Sequence, residues 1–177
     1  MSSAQPTTTL DDTPAIYAAN LHAYNCGNLV GEWVAIEPGM DGDDIRGRIQ
    51  AMLDRTGGEE YAIHDYNNIP TSLGEWPDLD TVAEIAHAIS EHGYELIKGF
   101  VDYFDADQLG EFDHRYVGTY KNEEDFAYEI LSEQYNLDKM MGSLASYFDY
   151  EAYARDLFMG DFVSVDLRGE IAVFRNY

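Results

Sequence analysis

Basic residues are scarce in this chain: ten Lys and Arg stand against thirty-four Asp and Glu, a formal net charge of −24. That shortage excludes a nucleic-acid-binding or anionic-membrane-binding surface, since either would need a basic patch. Cysteine is nearly absent too. Cys26 stands alone and closes no internal disulfide, which points to a reducing, cytoplasmic setting. No run of 18 apolar residues occurs, so no transmembrane helix is expected. Met1 to Asp12 is rich in Ser and Thr, has neither a basic region nor an apolar core, and reads as a frayed tail rather than a signal peptide.

Material for a core is plentiful. Apolar residues make up 45% of the 177, with fourteen Tyr, eight Phe and two Trp. Disordered acidic segments lack such aromatics, and a compact chain of this length buries roughly 70% of its unfolded surface. The acid is also unevenly placed. Residues 56–114 hold fourteen carboxylates and one strong base, Lys98. A small domain needs a net charge of only about 2–8 to stay dispersed, and self-repulsion beyond that is destabilising. The excess calls for a function or an unusual solvent.

Periodicity predicts an α+β protein in three segments. Over 13–72, strands are expected at Ala15 to Asn20, Leu29 to Glu37 and Glu60 to Tyr66. The helix between them carries Ile45, Ile49, Met52 and Leu53, capped by Asp43 or Asp44 and stopped by Gly57-Gly58. Over 73–114 the chain reads as helical. Thr81 and Glu84 have capping-box spacing, Gly93 interrupts, and a short helix follows through Phe104. Over 115–177 come a strand at Tyr116 to Tyr120, a helix capped by Asn122, and a helical stretch through Met140, Met141, Leu144, Ala145 and Phe148. A helix capped by Asp149 and a hairpin around Arg168-Gly169 complete it.

Little in the chain suggests catalysis, and neither a cofactor nor a resident metal is expected. His22, His64, His87, His92 and His114 form no His-Glu-x-x-His and no i, i+4 pair. Cys26 has no adjacent base to lower its pKa. The best EF-hand attempt starts at Asp105, with Asp107 and Gly110 in place, but Leu109 and Tyr116 fall where oxygen ligands are needed. Asp41 to Asp44 fails sooner, with Arg46 at the glycine position. No P-loop or dinucleotide fingerprint occurs.

The charge itself is the informative feature. B-DNA carries one charge per about 1.7 Å of axis, so 24 charges correspond to roughly 41 Å, or about 12 base pairs. A rigid chain this acidic offers a DNA-binding cleft the charge that DNA offers. On an unbroken helix Asp80, Glu84, Glu91 and Glu95 would share one face, at gaps of roughly 6, 10 and 6 Å. The competing explanation is a halophile-like acidic structural or interaction domain with no DNA-enzyme partner. Composition alone leaves both open.

Ordered motifs add to this. Ala15 to Asn20 (AIYAAN), Tyr24 to Trp33 (YNCGNLVGEW), Glu60 to Tyr66 (EYAIHDY) and Gly142 to Asp156 (GSLASYFDYEAYARD) resemble the ArdA antirestriction family, in register from about Ala15 to Phe174. The resemblance implies a DNA mimic carried on mobile DNA, acting in the cytoplasm of a bacterial host and binding no nucleic acid itself. It implies an elongated monomer of three small domains that forms a homodimer through the last. The implied partner is a type I restriction–modification enzyme, whose DNA groove is formed largely by its specificity and modification subunits. The mimic surface is then expected on Glu75, Asp78, Asp80, Glu84, Glu91, Glu95, Asp102, Asp105, Asp107, Glu111 and Asp113. Leu144, Tyr147, Phe148, Tyr150 and Tyr153 belong to the antirestriction stretch or dimer interface. Core packing is the ordinary alternative for its apolar side chains, and Tyr147 or Tyr153 is the choice for the interface.

Overall fold

The computed structural model describes residues 12–177; apart from Asp12, the tail read from the sequence lies outside the described residues. The chain divides into two compact units, one ending at Leu109 and the other running Gly110–Tyr177. Each holds a three-stranded antiparallel sheet with helices, so the α+β class expected from periodicity is what the chain adopts.

The first unit runs β1 (Ala15–Asn20), α1 (Leu21–Asn25), β2 (Gly31–Ala35), α2 (Gly42–Thr56), β3 (Tyr61–Asn67), α3 (Leu79–His92) and α4 (Tyr94–Phe104). Its sheet has the order β2-β1-β3. Three alanines of β1, Ala15, Ala18 and Ala19, are fully buried, and small side chains let α2 lie against the strand. Tyr17 pairs with Asp65 of β3 and Ala18 with Ile63, so His64 is an extra, bulged residue that sharpens the local twist. Asn20 is buried and polar, and its bonds account for the burial. Nδ2 donates to Thr56 Oγ1 at 2.9 Å, and Oδ1 accepts from Ala23 N at 3.1 Å. Gly58 gives this amide its room, since a Cβ there would stand 2.5 Å from Nδ2.

Helix α2 buries Ile45, Ile49, Met52 and Leu53, the apolar row expected from the sequence. Its cap is Asp41, not Asp43 or Asp44 as expected. The Asp41 carboxylate accepts from Asp44 N and Asp44 returns a bond from Asp41 N, a reciprocal box that periodicity could not locate. Gly57 closes the helix at φ 72°. Helix α3 also starts earlier than Thr81. Asp78 is its cap, accepting from both Thr81 N and Thr81 Oγ1. Gly93, at φ 90°, ends α3, and α4, which buries Ile97, Phe100 and Val101, packs back on α3.

After a 3₁₀ stretch at Ala106–Glu111, the second unit continues with α5 (Phe112–Arg115), β4 (Tyr116–Tyr120), α6 (Glu123–Gln134), α7 (Leu137–Met141), α8 (Tyr150–Phe158), β5 (Phe162–Asp166) and β6 (Ile171–Arg175). β6 is central, in the order β4-β6-β5. Phe126 on α6 meets Tyr120, Phe158 and Phe162 edge-on, and these rings with Val173 and Phe174 make the core. Asn122 caps α6 and Asp149 caps α8, as expected. The continuous helix expected through Phe148 does not form. Gly142, at φ 57°, stops α7 after five residues, and Gly142–Tyr147 winds as 3₁₀.

Candidate functional site

Apolar packing decides where the carboxylates point. On α3 the buried row is Leu79, Val82, Ala83, Ile85, Ala86 and Ile89, which turns Asp80, Glu84 and Glu91 to the opposite, exposed face. At 1.5 Å rise per residue they stand roughly 6 and 10 Å apart along the axis. Glu95 does not extend the row. It lies beyond the Gly93 break, in the first turn of α4, and is half-buried. Glu75, Asp78, Asp102, Asp105 and Asp107 are exposed in the first unit; Glu111 and Asp113 are exposed in the second.

Several of these acids are fixed by local bonds. Asp80 Oδ1 accepts from Gly42 N at 2.9 Å, tying the start of α3 to the start of α2. Asp78 is held by its cap. Asp102 pairs with Lys98, and Ser72 Oγ donates to it at 3.5 Å. Glu91 sits 3.7 Å from His87 and 3.9 Å from His92. The Lys98 pairing raises the ammonium pKa, chiefly through its bond to Asp102, so this base stays charged among the acids. The surface is thus fixed in part by the contacts that hold the helices, which limits the entropy its carboxylates lose on meeting a partner.

In the second unit, α6 carries acids that lie outside the acid-rich stretch of 56–114 and outside the expected mimic surface. Glu124, Asp125, Glu129 and Glu133 are exposed there. Asp125, Glu129 and Glu133 line an open groove of about 570 Å³ with Tyr120 and Tyr128. The Tyr120 hydroxyl pKa is raised, first by burial and then by Glu129 and Glu133. A signal was available in the Glu123-Glu124-Asp125 run and the four-residue step from Glu129 to Glu133.

The stretch Gly142 to Asp156 is mostly outside the core. Leu144 is 61% and Tyr147 83% exposed, which rules out core packing for both in this chain. Phe148, Tyr150 and Tyr153 are half-buried and cluster: Phe148 lies 4.9 Å from Tyr150 and 5.8 Å from Tyr153, and Tyr150 lies 5.2 Å from Tyr128 of α6. Met140, Met141 and Met159 are exposed in the same unit.

Among the described residues, no three His, Cys, Asp or Glu converge as a metal site, and no helix is long and apolar enough to cross a membrane. The chain is an acidic α+β protein with ordered exposed carboxylates and, in its second unit, exposed apolar side chains. A family model described as antirestriction protein (ArdA) matches residues 16–169, and the chain belongs to that family. Its members are inhibitor proteins rather than enzymes, which gives this chain an antirestriction role and restriction enzymes as interaction partners. No curated protein sequence matches the chain.

Proposed function

We propose that the chain protects incoming mobile DNA by standing in for B-DNA in the groove of a type I restriction–modification enzyme. It occupies the site formed by the specificity and modification subunits, stoichiometrically and without turnover, in the cytoplasm of the bacterial host. Its carboxylates meet the Lys and Arg that would otherwise bind phosphates. The long-range field of a chain at −24 speeds the encounter, and the chain itself binds no nucleic acid. The observation that carries this reading is the exposure of ten of the eleven nominated acids, all but Glu95, in a member of an antirestriction family.

The helices of 73–114 carry most of that set, and we assign the second unit to self-association. Leu144 and Tyr147 stand exposed in the same stretch as the half-buried Phe148, Tyr150 and Tyr153, a set suited to a homodimer interface. The deciding experiment is competition. Purified protein is titrated into a type I methyltransferase core bound to labelled duplex. Displacement at near one dimer per DNA site is expected; no displacement at a large excess would end the proposal.

A further inference from the structure

We propose that the loop between Gly74 and Asp78 presents Trp76 as an anchor for an arginine side chain of the DNA groove it enters, with Glu75 and Asp78 flanking that contact; this rests on the proposed DNA-groove competition.

Trp76 is 69% exposed, although tryptophan has more apolar surface to hide than any other residue. Its loop is tethered. Tyr66 Oη donates to Gly74 O at 2.6 Å, and Ile63 N, on buried β3 backbone, donates to Glu75 O at 2.8 Å. Gly74 turns the chain at φ 78°, a conformation a side chain would strain. Pro77 stiffens the exit, and Asp78 begins α3 with its carboxylate held by Thr81. The chain therefore fixes the backbone on both sides of Trp76 while leaving most of its side chain outside the core. A rigid aromatic with few torsions loses little entropy on contact.

Charge selects the partner. Exposed carboxylates stand on either side, at Glu75 and Asp78, and Lys98 is the one strong base within 56–114. A nucleic acid or an acidic protein is repelled from such a site. A guanidinium fits it: its face stacks on the indole and its edge donates to carboxylate oxygens. Lysine lacks the planar face. The contact is thus a binding term that simple phosphate mimicry lacks, and it resists salt better than exposed ion pairs do.

The test measures displacement of labelled duplex from a type I methyltransferase core by full-length variants, across a salt series. Trp76→Ala should raise the concentration needed by about 30-fold, the scale of an interface anchor, at every salt concentration. Trp76→Phe should fall between, since phenylalanine is the weaker cation–π partner. Glu75→Gln should instead flatten the salt dependence with a smaller loss. Wild-type tryptophan fluorescence should lose acrylamide quenching on binding. Trp33 is half-buried against Tyr17, and the difference between wild type and Trp76→Ala on the same enzyme, which cancels Trp33 and the enzyme's own tryptophans, reports on Trp76. If wild type displaces DNA and folded Trp76→Ala displaces it equally well, the anchor is wrong and the competitive reading survives. If wild type displaces none, both fall. Self-association that Trp76→Ala abolishes would assign the indole to a second copy of this chain and overturn the proposal.

Discussion

At Gly42 a hydrogen atom stands where any other residue would place a carbon 2.4 Å from Asp80 Oδ1 and 2.7 Å from Asp80 N. Both contacts belong to the start of α3, one of them backbone, so the neighbour cannot simply swing away. Gly42→Ala should therefore cost about 1–3 kcal/mol, the range for overpacking, and shift the urea midpoint of the first unit. Asp80→Ala should cost about 1 kcal/mol by removing the 2.9 Å bond from Gly42 N. Tyr66 makes a second residue-scale case. Burial pushes its phenol from 10.0 up to about 12. The folded chain then holds the proton more tightly than the unfolded chain, so ionisation favours unfolding. The contribution is whole below pH 10 and is lost as pH rises through 12. Urea midpoints should fall over that window. Tyr66→Phe should make the fall shallower, leaving what Tyr17 and Tyr120, also raised by burial, contribute. The same variant should lower stability at pH 7 by about 1 kcal/mol through loss of the bond to Gly74 O.

Among the elements, α8 is the clearest case of a helix held by the residue that precedes it. It is nine residues long, shorter than an isolated helix can sustain in water. The Asp149 carboxylate accepts from Ala152 N at 2.9 Å. Asp149→Ala should cost about 1 kcal/mol, seen as a lower melting temperature, and should loosen Tyr150 and Tyr153 together. That cap was legible in the sequence because Asp149 directly precedes Tyr150, Ala152 and Tyr153; Asn122 was legible because the helical row of Phe126, Ala127, Ile130 and Leu131 follows it one turn on. The caps of α2 and α3 were less legible. Asp41 competes with Asp43 and Asp44 two and three residues on, and only the hydrogen bonds choose among them. Strand β1 was readable as a short apolar run and β3 from local alternation, but the bulge at His64 depends on pairing with a strand more than forty residues away. Gly142 hid in plain sight: Met140, Met141, Leu144 and Ala145 keep a helical spacing across it, yet its φ of 57° ends α7. The acids of 73–114 could be named from composition. Which of them also hold helices together, as Asp78 and Asp80 do, is set by contacts no local pattern contains.

For the whole molecule the decisive quantity is how inhibition adds up. An exposed ion pair is worth about 0.5 kcal/mol. If restriction enzymes are held by many such pairs, Glu84→Gln alone should change the competing concentration by less than about threefold. Glu84, Glu91, Asp105 and Asp107 are all exposed. Replacing the four with amides together should sum to about 2 kcal/mol, roughly 30-fold, provided their effects add. Salt should act the same way, since the contacts replace phosphate–cation pairs whose binding falls linearly with log salt. The wild-type slope should exceed that of the fourfold amide variant, and the two lines should converge as salt rises. A halophile-like acidic protein predicts no displacement at any salt: its fold would strengthen with salt, as that of any chain at −24 does when self-repulsion is screened, and neutralising carboxylates would change stability without touching any enzyme. Measuring urea stability and DNA displacement in one salt series separates the two. An affinity for the enzyme that is indifferent to salt, once the salt dependence of DNA binding itself is divided out of the displacement curve, or inhibition abolished by one amide substitution in a folded protein, would remove distributed charge as the basis of inhibition.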